Sequence, residues 1–216
     1  MVFARVRSDG IRDLYQKDAR GLGPEELLAL PPSTSRARSD WSPDGRYLLY
    51  RNQDPVTQHD IWALPIDGDR KPFPVVHTAF SERDAQFSPD GKWIAYQSDE
   101  SGHFEIYLQP FPGPGPKVQV STDGGAQARW RRDGSELFYV TLAGELTAVP
   151  IQLASNREPV VGDPAVLFPV RFRQTVDNLD GAQYVVSSDG QRFLMYTVLD
   201  EAASPITVIL NWRAKL

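Results

Sequence analysis

The sequence predicts an all-β fold assembled from repeated antiparallel units. Three observations predict it: a turn phrase that recurs along the chain, a second strand-like phrase at a near-constant offset, and almost no helical periodicity. The turn phrase is an aromatic residue, a short polar turn, Asp-Gly and an apolar run. It reads Trp41-Ser42-Pro43-Asp44-Gly45, then Phe87-Ser88-Pro89-Asp90-Gly91, then Trp130-Arg131-Arg132-Asp133-Gly134, with a degenerate copy at Val186-Ser187-Ser188-Asp189-Gly190. The glycines lie 46, 43 and 56 residues apart.

Each part of the phrase has a physical reason. Proline presets φ at the first central turn position, Asp is comfortable after it, and Gly takes the positive-φ position that follows. Ser-Pro-Asp-Gly is therefore a hairpin turn. The third and fourth copies lose the proline and keep Asp-Gly, so the turn is expected to survive there. Short β-type runs follow each turn at 46–50, 92–96, 136–140 and 192–196. The second phrase comes next, as Asp60-Ile61-Trp62, Glu105-Ile106-Tyr107 and Glu145-Leu146-Thr147, with an earlier copy at Asp13-Leu14-Tyr15. A third strand-like piece closes each unit, at 74–76, 118–121 and 165–168. The segment 24–30 is the best helical candidate, but in repeat phase it falls on the outer strand of the first unit and is read as an irregular strand.

Four strands in about 45 residues is the arithmetic of a β-propeller blade. The continuous apolar runs suit strands buried on both faces. The expected layout is a partial blade over 1–38, blades over about 39–82, 83–125 and 126–170, and a terminal unit over 171–216. That makes a partial ring of about four to five blades.

The stretch 87–107 resembles the TolB-like, WD-repeat-like propeller family. The ordered series 110–113 (Pro-Phe-Pro-Gly), 120–125 (Val-Ser-Thr-Asp-Gly-Gly), Arg129-Trp130, 137–139 (Leu-Phe-Tyr), 166–168 (Val-Leu-Phe), 189–194 and 209–212 (Ile-Leu-Asn-Trp) is similar to the C-terminal end of bacterial membrane-anchored Ser/Thr kinases with a propeller sensor. The resemblance covers nearly the whole chain. It implies a six- or seven-bladed ring used for binding, placed outside the cytoplasm beyond a kinase domain and one membrane span. This chain departs from that pattern. Six blades need about 270 residues, and there are 216. The expectation is a fragment of a longer protein, completed by missing blades or by another copy. The rivals are a ring that closes alone and a product that only self-associates through its open edges.

Composition narrows the function. Twenty-three basic against 28 acidic residues give a net charge of −5, which disfavours a nucleic-acid or anionic-membrane surface. No apolar window reaches the length of a membrane span. The absence of cysteine excludes disulfides, thiolate catalysis and Cys-ligated metals. No Gly-rich phosphate loop, kinase loop or G-x-S-x-G elbow occurs. The three histidines, His59, His77 and His103, form no ligand-spaced pair. His59 and His103 are read as loop residues before Asp60 and Glu105, and two such loops on adjacent blades would share a face. Asp177-Asn178-Leu179-Asp180-Gly181 lacks calcium-loop spacing. Arginines bracket Trp130 and Phe172, and solvated faces beside a core aromatic are the plainer reading. Trp41, Phe87 and Trp130 are expected to be core anchors between blades. Asp40 and Asp84, which precede the first two turns, join His59 and His103 as a candidate ligand face. The resulting expectation is a non-catalytic binding module without cofactor, taking a protein, peptide or saccharide on loops held by a rigid scaffold. A lyase or hydrolase propeller is the enzymatic rival.

Overall fold

The computed structural model describes residues 1–28, 35–154, 158–172 and 182–197, together with the backbone of Thr207–Leu210. Among these residues every regular element is a strand. They form five antiparallel units in chain order. Unit 1 has β1 (Val2–Val6), β2 (Arg12–Gln16) and β3 (Glu26–Leu27). Unit 2 has β4 (Arg36–Trp41), β5 (Tyr47–Asp54), β6 (Gln58–Pro65) and β7 (Phe73–Val76). Unit 3 has β8 (Glu82–Phe87), β9 (Trp93–Ser98), β10 (Glu105–Pro110) and β11 (Val118–Gln119). Unit 4 has β12 (Ala126–Trp130), β13 (Glu136–Val140) and β14 (Glu145–Gln152), with β15 (Val160–Val161) and β16 (Ala165–Pro169) both on β14. Unit 5 has β17 (Tyr184–Val186), β18 (Arg192–Met195) and β19 (Thr207–Leu210).

The turns form as their chemistry dictates. Gly45, Gly91, Gly134 and Gly190 have φ of 74°, 69°, 76° and 68°. The Gly45 amide donates to the Ser42 carbonyl at 2.8 Å, and the Gly91 amide to that of Ser88 at 2.8 Å. The serine adds a clasp that the repeat phrase did not reveal. Ser42 Oγ donates to Asp44 at 2.6 Å and accepts from the Tyr47 amide at 2.9 Å. Ser88 and Ser187 repeat the clasp on Trp93 and Arg192. Unit 4 has Arg131 at that position, and there Ser135 bonds Asp133 at 2.7 Å instead. The turn thus persists without its proline.

The core lies between units. One cluster joins Val2 and Leu14 of unit 1 to Leu48, Tyr50 and Leu64 of unit 2. The next joins Leu49 and Ile61 to Phe87, Ile94 and Tyr96. A third joins Ile106 and Leu108 to Leu137, Tyr139 and Val149. The last joins Phe138 and Leu146 to Tyr184, Phe193 and Met195. Each unit therefore buries its face only against its neighbours, as in repeat architectures generally. Among the described residues no such cluster joins unit 5 to unit 1.

The aromatic anchors are not equivalent. Phe87 is buried, edge-on to Phe111 at 4.8 Å, with Tyr47 and Phe73 of unit 2 beside it. Trp130 is half-buried against the unit 3–unit 4 cluster. Trp41 corrects the expectation. It is 38% exposed and lines a hollow with Met1, Gln16, Lys17 and Glu26. The hollow's wall mixes the polar Gln16, Lys17 and Glu26 with Val2, Leu22 and Pro24, so the indole is only partly covered. The segment 24–30 gives only the two-residue β3, with positions 29 and 30 outside the described residues.

Candidate functional site

The second phrase places a carboxylate at the start of the third strand of a unit, where it meets the first strand of the next. Asp13 is buried and ion-pairs with the buried Arg36 of β4, and with Arg7 at 3.1 Å. Asp60 is buried, accepts from Thr57 Oγ1 at 2.8 Å, and lies 2.9 Å from His77 Nδ1. Glu105 is buried between Ser121 Oγ and the Gly124 amide, with His103 Nε2 at 2.8 Å. Asp13 ties unit 1 to unit 2 through Arg36, while Asp60 and Glu105 hold the loops that follow or flank their own strands.

Unit 2 departs from unit 1 in one respect. Where Arg36 meets Asp13, Glu82 meets Asp60. Burial pushes the Glu82 carboxyl up to about 7, with the like charge of Asp60 adding to the rise and Thr78 opposing it. Asp40 is pushed up to about 6, chiefly by burial and against hydrogen bonds from the Phe87 and Trp41 amides. A carboxyl raised in the folded state binds protons that the unfolded chain releases. Its stabilising contribution is therefore present below its ordinary value and is lost as pH rises. Stability should fall between about pH 4.5 and 7 for Glu82 and between about 3.8 and 6 for Asp40. Glu82→Gln should flatten the upper part of this slope and stabilise the chain above pH 7 by up to about 3 kcal/mol. Melting temperatures of both proteins across pH 4–8 check this. An unchanged slope would contradict it.

The inner strands converge on an axial cavity of about 580 Å3, within the range of ligand pockets. All five units contribute to its wall: Phe3, Ala4 and Arg12 from unit 1, Ala37, Arg38 and Ser39 from unit 2, Asp84 from unit 3, Arg129 from unit 4, and Ala182, Tyr184 and Val185 from unit 5. Irregularities in β4, β8 and β12 re-aim these side chains, at 38–40, 83–86 and 126–129. Asp84 and Gln127 sit there with φ of 48° and 59°.

The wall is mainly basic. Arg129 reaches across from β12 to Asp84 at 3.0 and 3.3 Å. Tyr184 is buried and donates to the Gln127 carbonyl at 2.9 Å, with its phenol held above the usual range by burial. Arg38 is exposed into the cavity and makes no ion pair among the described residues. Arg129 and Asp84 offset each other, and the exposed Arg38 guanidinium adds a positive charge that favours an anionic or acidic occupant.

The expected ligand face is divided by the structure. Asp84 lines the axial cavity, and Asp40 lies behind it, accepting from the Phe87 amide at 2.9 Å. The two are not repeat-equivalent, because Asp40 directly precedes its aromatic and Asp84 stands three residues before Phe87. His59 lies within β6 rather than in a loop, since β5 and β6 extend the hairpin through 53–59, and its Nδ1 is 3.0 Å from Ser81 Oγ. His103 does precede β10, bound to Glu105. Among the described residues no group of three or more His, Cys, Asp or Glu side chains comes together as a metal set. The segment 177–181 and Arg173 lie outside the described residues. Sequence reasoning missed Phe3, Arg12, Arg38 and Tyr184 as wall residues. They belong to different positions of the phrase and share only their place at the axis.

No family model matches the sequence. An uncharacterized protein of Agrobacterium fabrum is 32% identical over 104 residues, which are 46% of this chain and 33% of that protein. TolB from Acinetobacter baumannii superposes with a TM-score of 0.66 at 17% identity, covering 97% of this chain and 48% of that one. A TolB-type protein from Agrobacterium tumefaciens gives 0.64 at 19%, covering 88% and 66%. An oligogalacturonate lyase in complex with manganese gives 0.65 at 17%, covering 93% and 54%. The chain thus spans a third of the curated relative and between about half and two thirds of these structures. These likenesses are of fold, and they show that the chain is built from the antiparallel blades of a TolB-like, WD-repeat-like β-propeller.

Proposed function

We propose that the chain is a non-catalytic binding or scaffold module whose ligand seat is the axial cavity. The observation that carries this reading is the cavity wall, to which every unit contributes and at which Arg38 stands exposed beside the Arg129–Asp84 pair. A rigid scaffold that gathers side chains from five units at one place suits recognition of an extended or multivalent ligand. A protein or peptide partner fits best, and a saccharide bearing carboxylates shares the required charge. The sequence similarity to kinase-linked propeller sensors supports a role as the C-terminal part of a receptor-type Ser/Thr kinase, outside the cytoplasm. Any kinase activity would then reside in another domain.

The test is calorimetric titration of the purified chain with an acidic peptide and with an oligogalacturonate, repeated with Arg38→Glu. Binding that Arg38→Glu abolishes supports the reading. Binding that ignores Arg38→Glu places the ligand elsewhere. Turnover of the oligogalacturonate by the purified chain would overturn the non-catalytic assignment.

A further inference from the structure

The hairpin tips of units 2, 3 and 4 gather into an acidic face. Neighbouring strands of a unit run antiparallel, so the β5–β6, β9–β10 and β13–β14 tips lie at the same end as the links from β7 to β8 and from β11 to β12. Contacts join these segments. His59 Nδ1 lies 3.0 Å from Ser81 Oγ, and the Ser81 amide donates to Asp99 at 2.8 Å. The Gly125 amide donates to the Phe104 carbonyl at 2.8 Å, and the Gly124 backbone packs against Leu142. Segments 54–60, 77–83, 99–105, 121–125 and 141–145 hold eight carboxylates and one guanidinium. The face is therefore more negative than the whole chain, whose formal charge is −5. Asp54, Asp99, Asp123 and Glu145 reach its surface and make no ion pair among the described residues. The Val56 amide donates to Asp54 at 2.8 Å, and this bond holds the carboxyl below its ordinary range. Apolar side chains stand between the charges. Val56 is 86% exposed, Phe80 42% and Leu142 38%. The Arg83 guanidinium lies over the Phe104 ring at 5.0 Å. No residue of these segments lines the axial cavity.

We propose that this face docks a basic polypeptide segment with apolar side chains, its lysines or arginines over Asp54, Asp99, Asp123 and Glu145 and its apolar residues against Val56, Phe80 and Leu142. The inference is independent of the axial seat and gives the module a second partner of opposite charge. Charge complementarity selects the occupant. Uncompensated carboxylates of one sign on a continuous face raise the local concentration of cations and repel acidic chains. A single exposed apolar residue is ordinary on a protein surface, but three on one acidic face add a contact that a simple cation cannot use. A segment that offers both kinds of side chain, and is long enough to cross three tips, meets both conditions. The support beneath is rigid, because Asp60, Glu82 and Glu105 lie buried under the same tips and links. Asp60 and Glu105 hold His77 and His103, and Glu82 holds Thr78.

The probe is a synthetic octapeptide of alternating lysine and leucine, titrated into the full chain, with an octapeptide of alternating lysine and serine as control. The first should bind, more weakly as salt is added, and the control should bind at least about tenfold more weakly. Amide shifts on binding should fall on the tips and links of this face. Two double variants separate the contributions. Asp123→Lys with Glu145→Lys removes charge, and Val56→Ser with Phe80→Ser removes apolar surface. Each should keep the melting temperature and weaken the lysine–leucine peptide by about tenfold. No binding, equal binding of the two peptides, unchanged affinity in both variants, or shifts confined to other residues would each overturn the proposal. A wild-type dimer that Val56→Ser with Phe80→Ser turns into a monomer would put a second copy on the face and would overturn it too. If a variant fails to fold, the shift map and the peptide comparison on the wild type decide alone.

Discussion

Phe138→Ala is expected to destabilise the chain by about 3–5 kcal/mol. Phe138 is fully buried in β13, edge-on to Phe193 of unit 5 at 5.1 Å, with Tyr184 and Met195 in the same cluster. Truncation opens a cavity at the unit 4–unit 5 seam, which has no other apolar cluster among the described residues to share the loss. In a chain of this length each kcal/mol lowers the melting temperature by about 2–4 °C, so a drop of about 10 °C is expected. Because stability in stacked units is a sum of neighbour terms, unit 5 should lose exchange protection before unit 2. Tyr184 would loosen with it, and ligand affinity at the axial cavity should fall too. A loss under about 1 kcal/mol would show that the seam is not the core described here.

Asp13→Ala should have a comparable effect through electrostatics. It removes the buried carboxylate that pairs with the buried Arg36, and one of two carboxylates beside Arg7, which keeps Asp9 at 2.8 Å. Breaking a buried pair by deleting one member costs about 3–5 kcal/mol, whereas replacing both by apolar groups of similar size is often neutral. Denaturant unfolding should therefore show Asp13→Ala far weaker than wild type, and Asp13→Leu with Arg36→Met close to it. Two variants of equal, low stability would mean that Asp13 holds unit 1 to unit 2 by something other than this pair.

Much of the fold was legible because the repeat acts on backbone geometry. Asp-Gly turns force the chain to reverse at fixed points, and the apolar runs between them have no polar face to leave in water. The serine clasp could have been found too, since Ser42, Ser88 and Ser187 stand at one position of the phrase. Trp41 was misread because the sequence shows what a residue is and not what faces it. Its neighbours, Gln16, Lys17 and Glu26 beside Val2, Leu22 and Pro24, belong to the preceding unit and cover only part of the indole. The site was the least legible part. Arg12, Arg38, Arg129 and Tyr184 occupy unrelated phrase positions and meet only because the inner strands converge. Asp40 and Asp84 were singled out for proximity to the turns, and only Asp84 lines the cavity. The contrast between Arg36 and Glu82 was hidden as well. Both begin an inner strand, but the charge each meets is fixed by the preceding unit.

The account turns on the axial cavity as the ligand seat, and titration of the purified chain with an acidic peptide, repeated with Arg38→Glu, tests it most directly. Binding that Arg38→Glu abolishes is the expected result. Binding that Arg38→Glu leaves unchanged would contradict the account.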